Sequence, residues 1–220
     1  MGITYEYKDN NQVIDRSNIG VDFSMSDSEI VKSEEYLNDK DKVLEWGAGG
    51  STLYFSKIVS SYVSIEHDKS WYDKLTSQID DNVELLHVPT HDEKFDDELD
   101  ENAFDILKGD ESWYGTNGNK EIYEKDGKTH WTTRGTIDWH CYLDYIRKPL
   151  ELSHRNYDVI LVDGRARSMC AYIAKDLLKG DGYLLFHDFN NRGYYHGILK
   201  YYEIVDTEGT LAILTKKQGI

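Results

Sequence analysis

The chain has little proline, little cysteine, an excess of acid over base and no long apolar run, and each shortage removes a class of protein. Two prolines in 220 residues leave no Pro-rich linker. The two cysteines, Cys141 and Cys170, lack metal-ligand spacing and suit a reducing compartment as free buried thiols. Lys and Arg number 25 against 41 Asp and Glu, a net charge of −16. That balance argues against a protein that tracks nucleic-acid phosphates, and equally against docking on anionic membranes. No stretch reaches the 18 or so apolar residues of a membrane span, and Met1–Asn10 is polar without an apolar core. A soluble, cytoplasmic protein is the expectation. The length suits a single domain over 1–220 with one sizeable core.

The most informative stretch is Val43-Leu44-Glu45-Trp46-Gly47-Ala48-Gly49-Gly50-Ser51-Thr52. An apolar start runs into an acid, then three glycines, then an apolar helix-like segment. Glycines let the backbone bend tightly and approach a ligand without a Cβ in the way. The following helix turns its free N–H groups toward whatever occupies the bend. The dinucleotide fingerprint G-x-G-x-x-G fits less well, because Thr52 stands where its third glycine belongs. Ser61-Tyr62-Val63-Ser64-Ile65-Glu66 then reads as a strand that ends in an acid, 21 residues after Glu45. In a strand–turn–helix–strand unit this spacing puts Glu66 at the neighbouring strand tip, where a carboxylate accepts ribose hydroxyls.

The rest of the chain continues the rhythm. Ser24 or Ser26 caps a helix with Asp27 and Glu29 in its first turn, closed by Asn38-Asp39-Lys40-Asp41 and leading into the glycine turn. Strands are expected at Lys42–Glu45, Ser61–Glu66, Val83–Val88, Tyr157–Asp163 and Tyr183–Phe186, with helices over Thr52–Ser60 and through Asp80, the latter with Trp71, Leu75 and Ile79 at helical spacing. Further helices are expected over Asp138–Leu152 and over Ser168–Leu178, the latter closed by Gly180. Tyr201–Val205 and Leu211–Leu214 flank Asp206-Thr207-Glu208-Gly209, a hairpin signal. Residues 91–138 break the rhythm, with thirteen acids against four lysines between Asp92 and Asp126. A structureless stretch of this length is rare in a compact domain and reads as a lid or binding insertion. Its aromatic residues, Tyr114 among them, and Trp139 directly after it are candidates to stack on a sugar or base.

The segments EWGAGGST, SIEHD, and DVILVDGRAR followed by GDGYLLFHDF resemble the motifs of class I S-adenosylmethionine-dependent methyltransferases, and the order of elements is similar over residues 24–216. The resemblance implies an α/β, Rossmann-like fold: a mostly parallel seven-stranded sheet with an antiparallel C-terminal hairpin and helices on both faces. It implies S-adenosylmethionine as cofactor, bound by Glu45, Gly47, Ala48, Gly49, Ser51, Glu66 and His67. Asp163, His187 and Asp188 are the candidate catalytic residues, with the base left open among them. Arg165, Trp139 and Tyr114 are candidates for acceptor binding, and Arg165 and Arg167 serve equally well as ion-pair partners of nearby acids. Magnesium-dependent O-methyltransferases carry an acid after the fourth strand and Asp-Asn after the fifth. Here Asp188-Phe189-Asn190 displaces the asparagine by one, so Asp163 and Asp188 are candidate ligands of Mg²⁺ or Mn²⁺ with an altered pattern.

The VDGRAR…HDF tips and the aromatic insertion look similar to sugar O-methyltransferases, including those attached to glycan-building enzymes of large algal viruses. The acceptor implied is a carbohydrate or another small hydroxylated molecule, with neither nucleic acid nor membrane as partner. A catechol-like small-molecule O-methyltransferase, a nicotinamide-dependent oxidoreductase and a non-catalytic S-adenosylmethionine-binding module remain alternatives. The oligomeric state is left open.

Overall fold

The computed structural model describes residues 19–21, 23–90, 122–125, 128–133, 137–138 and 142–219. The element order is α1 (Asp27–Glu34), β1 (Lys42–Trp46), α2 (Gly50–Phe55), β2 (Ser61–Glu66), α3 (Lys69–Thr76) and β3 (Val83–His87). Three short strands follow: β4 (Ile122–Lys125), β5 (Lys128–Thr133) and β6 (Ile137–Asp138). Then come α4 (Leu143–Glu151), β7 (Tyr157–Val162), α5 (Arg167–Leu177), β8 (Leu178–Phe186), a 3₁₀ helix (Gly193–Lys200), β9 (Tyr202–Glu208) and β10 (Leu211–Lys216). None of the described helices is long and apolar enough to cross a membrane.

Seven strands form one sheet in the order β3-β2-β1-β7-β8-β10-β9. The first five are parallel, and β10 runs antiparallel to both β8 and β9. Both faces are covered, which is why β7 reads as an apolar run and not as an alternating one. Leu44, Trp46, Ile160 and Val162 point to one face and pack with Ile146 of α4 and Met169 and Ala174 of α5. Val43, Val159 and Leu161 point to the other and pack with Ile30 of α1 and Tyr54 and Phe55 of α2. Each such buried side chain contributes about 1.5–3 kcal/mol. Cys170 is a free, fully buried thiol in the first of these cores.

The expected five parallel strands and hairpin are all present, with shifted boundaries. The helix expected over Thr52–Ser60 starts at Gly50 and stops at Phe55, where single turns take over. Gly180 does not cap the helix before it. The helix ends at Leu177, and β8 begins at once, because Leu178 is buried and pairs with Tyr157. The register between β7 and β8 then shifts, and Gly182 lies in that irregularity, where a Cβ would stand 2.7 Å from the Asp158 carbonyl oxygen. The helix expected from Asp138 begins at Leu143, and Asp138 belongs to β6. Nor is 91–138 wholly structureless, since its described residues form the antiparallel ribbon β4-β5-β6. The hairpin turn is the two-residue Gly209-Thr210, with Gly209 at φ +53°, as tight hairpins demand.

Candidate active site at the carboxyl edge of the sheet

The strand order reverses between β1 and β7, and a crevice opens beyond their carboxyl ends. Backbone meets backbone there. Gly47 has φ +99°, and a Cβ on it would lie 2.4 Å from the Gly164 Cα. A Cβ on Gly164 would meet Gly47 at 2.9 Å and the Tyr145 hydroxyl at 2.0 Å. The Asp163 amide donates to the Trp46 carbonyl (3.0 Å) and the Gly47 amide to that of Ile65 (2.9 Å), so three strand tips are sewn together. Gly47→Ala combines a left-handed backbone with an overlap that only backbone movement relieves. It is expected to cost at least about 2 kcal/mol, read as a fall in Tm on thermal denaturation.

Glu45 sits beneath this turn, with no exposed surface. Its carboxylate accepts from the Ser51 and Thr52 hydroxyls and from that of Ser64 (2.6 Å). The Thr52 Oγ1 in turn accepts from the Gly49 amide at 2.9 Å. Burial pushes the Glu45 carboxyl up to about 7, against the lowering effect of those hydroxyls. Glu45 therefore braces the glycine turn from behind, and Ser51 is the member of this cluster that faces the crevice.

Glu66 closes the neighbouring strand and is 4% exposed. One oxygen accepts from the Ala48 amide (3.0 Å), the other from the amides of His67 (2.9 Å) and Asp68 (2.7 Å). The carboxylate thus binds the glycine turn to the start of α3, and it still borders the cavity. His67 packs edge-on against Tyr142 and Tyr145. Trp71 of α3 donates its indole N–H to the Ala48 carbonyl and overlooks Gly49, whose Cβ position is otherwise open.

The opposite wall carries a network of ion pairs. Asp163, which follows β7 directly, receives the His187 Nδ1 (2.7 Å) and the Arg167 guanidinium (3.1 Å) on one oxygen and the Ser24 hydroxyl on the other. Its side chain is 7% exposed and borders the cavity. His187 is buried behind it. Burial lowers the imidazole's pKa, but the hydrogen bond and charge of Asp163, with Asp188 adding to them, outweigh that and leave it raised. Asp188, at φ +62°, turns its carboxylate onto Arg167 (3.1 Å) and Arg192 (2.8 Å).

Asp163, His187 and Asp188 bring ligand atoms within 4.8 Å of one another, a spacing that could suit a metal ion. As arranged the set does not fit one. The Arg167 guanidinium bridges the two carboxylates, and a divalent cation would meet it and Arg192 at close range. The cation of this site is Arg167.

The cavity between the walls has a volume of about 470 Å³. Gly47, Ala48, Gly49, Ser51, Glu66 and His67 line it on the cofactor side expected from sequence, and Asp163 and Arg165 on the other. Glu45, His187 and Asp188 stand behind the lining. Tyr114 and Trp139 lie outside the described residues. Sequence reasoning did not pick out Phe23, Ser24 and Met25, which cross the cavity just before α1, or Trp71 and Arg192. For Ser24 the only signal was its place beside a helix start that leads toward the glycine turn.

Neither a protein-family model nor a curated protein matches the sequence. Solved structures do match the fold. A methyltransferase-like protein from Silicibacter pomeroyi superposes with a TM-score of 0.58 at 22% identity, over 92% of each chain. The tRNA (m1A58) methyltransferase TrmI from Aquifex aeolicus gives 0.51 at 12% identity, over 91% of this chain and 74% of its own. The fold is that of the class I methyltransferases. Within that methyltransferase fold, the turn at Gly47 and the tips at Glu66, Asp163 and His187 all lie at the carboxyl edge of the parallel strands, on the side where open α/β sheets bind ligands.

Proposed function

We propose that the chain is an S-adenosylmethionine-dependent O-methyltransferase whose acceptor is a carbohydrate hydroxyl. One observation carries the reading: a single cavity has the glycine turn and Glu66 on one wall and the cavity-facing Asp163, backed by His187 and Arg167, on the other. The residues present fit the cofactor. Gly47 and Gly49 leave room above the turn, Ser51 offers a hydroxyl, and Glu66 offers a carboxylate at the second strand tip.

When bound, S-adenosylmethionine supplies a methyl group on a positively charged sulfur. The chain's part is to hold an acceptor oxygen in line with it and to take that oxygen's proton. Asp163 is placed for the second task. Its outer oxygen already accepts the Ser24 hydroxyl, so an alcohol that displaces Ser24 meets the same acceptor. The acceptor hydroxyl's proton would pass to Asp163 as the acceptor oxygen takes up the methyl group. His187 and Arg167 hold Asp163 in position from behind. Between the two candidate bases, cavity exposure favours Asp163, which borders the cavity, over His187, which stands behind it. The carbohydrate acceptor draws its support from the VDGRAR…HDF tips and the aromatic-rich insertion, and Arg165 is exposed at the mouth to receive it.

Calorimetry with S-adenosylhomocysteine and with NAD, on wild type and on Glu66→Ala, tests the cofactor. Wild type is expected to bind the homocysteine product alone in the micromolar range, and Glu66→Ala at least about 10-fold more weakly, as a charged hydrogen bond of about 1.5–3 kcal/mol is lost. Binding of NAD instead would overturn the reading. A screen of carbohydrate acceptors, with and without Mg²⁺ or Mn²⁺, then tests the acceptor and the internal cation together.

A further inference from the structure

Glu29 begins as an ordinary feature. It is the N3 residue of α1, three positions after the N-cap Ser26, and the pair makes a capping box. Such a glutamate usually sits at the surface. This one is 4% exposed. One carboxylate oxygen accepts from the Ser26 amide (2.7 Å) and hydroxyl (2.8 Å). The other accepts from the Thr210 amide and hydroxyl, both at 2.7 Å, in the turn between β9 and β10. The first oxygen also lies 3.6 Å from the His187 Nε2. Burial works against the charge, but the Thr210 and Ser26 hydrogen bonds outweigh it and lower the carboxyl to about 2.

The His187 ring thus lies between two carboxylates, Asp163 at Nδ1 and Glu29 at Nε2, with Asp188 4.0 Å from Nδ1. Turning the ring over would bring C–H groups to both carboxylates and forfeit the 2.7 Å bond to Asp163. We propose that Glu29 is a positioning residue for the base: it selects the ring orientation of His187 that presents Nδ1 to Asp163. The same carboxylate fixes the start of α1, and with it the Phe23–Met25 segment that crosses the cavity. Seating of α1 and alignment of the base are therefore coupled through one side chain. The catalytic half of this statement rests on the methyl-transfer reading; the orientation of His187 does not.

The test is Glu29→Gln, with Thr210→Ala as the comparison that removes one hydrogen bond to Glu29 and leaves its charge in place. Lys32 and Tyr36 still anchor α1 to Asp206 of β9, each at 2.9 Å, so the helix keeps its dock in either variant. In ¹⁵N-resolved NMR of the histidine rings, wild type and Thr210→Ala are expected to show one His187 ring state, and Glu29→Gln a shifted or doubled one. At saturating acceptor, Glu29→Gln is expected to lower kcat about 10-fold or more without raising the KM for S-adenosylmethionine, with Thr210→Ala within about twofold of wild type. Glu29→Asp keeps the charge on a shorter arm; it is expected to retain more of kcat than Gln and supplies the measurement if Gln fails to fold. Unchanged His187 signals in Glu29→Gln, or an equal loss of kcat in Thr210→Ala, would overturn the proposal and leave Glu29 as a tether. If wild type binds no S-adenosylhomocysteine, the methyl-transfer reading fails, and the NMR comparison still decides whether Glu29 orients His187.

Discussion

Asp163→Asn is expected to lower the rate of methyl transfer by about 10²–10⁴-fold, the range for loss of a positioned proton acceptor, while S-adenosylhomocysteine binds within about threefold of wild type. The substitution keeps the side chain's shape and removes its charge. An amide cannot take the acceptor's proton. It must also turn its N–H₂ either toward the His187 Nδ1 and Arg167, which donate to it now, or toward Ser24. The glycine turn and Glu66 stand on the other wall and keep their hydrogen bonds, which is why cofactor affinity is expected to survive. Arg167 retains Asp188 and the carbonyl oxygens of Gly164 and His187, so the folded state is expected to lose no more than about 1–3 kcal/mol. Single-turnover kinetics beside calorimetry separate the two effects. Full activity in Asp163→Asn would remove the proton-transfer role. Loss of homocysteine-product binding together with activity would make Asp163 a structural member of the cofactor site.

The fold was legible because burial on both faces makes β7 a nearly continuous apolar run and leaves β1 apolar at its centre, and because the glycine turn marks where β1 ends. Local pattern misled where a tertiary constraint decided. Gly180 looks like a helix stop, yet Leu178 is pulled into the sheet beside Tyr157 and the helix ends earlier. At the site, the same rule holds for roles. The spacing that marks Asp163, His187 and Asp188 as a cluster says nothing of which one faces the cavity, since that depends on how the tip of β8 lies beside that of β7. Arg167 illustrates the limit further. A basic residue after an acid-tipped strand suits a substrate anion or an internal ion pair equally, and only the 3.1 Å approaches to both carboxylates choose the second. Ser24 and Glu29 were the least legible. Both act on residues more than 130 positions away, and neither contact leaves a local signature.

Glu45 leads to the other large effect. Its carboxyl stands at about 7 in the folded protein, against about 4.3 in an unfolded chain. Between those values the folded state binds a proton that the unfolded state has released, so stability must fall as pH rises through the interval. The contribution is fully present below about pH 4 and lost above about pH 7, and a shift of this size corresponds to about 3–4 kcal/mol. Glu29 works in the opposite sense: its lowered carboxyl adds stability above about pH 4.5 that disappears as pH falls toward 2. The two act in largely separate windows, so urea denaturation between pH 5 and 8 reads Glu45 alone of this pair. Wild type is expected to lose stability across that range, and Glu45→Gln to flatten the loss. The amide keeps an oxygen for Ser51, Thr52 or Ser64 and has no charge to desolvate. The same proton bears on function, because ionised Glu45 is the stronger acceptor for the hydroxyls that hold the glycine turn, Ser51 included. Homocysteine-product affinity is therefore expected to rise from pH 6 to 8 in wild type and to stay level in Glu45→Gln. An affinity that rises equally in both would place the titrating group elsewhere, and a denaturation profile unchanged by Glu45→Gln would mean that Glu45 is ionised throughout.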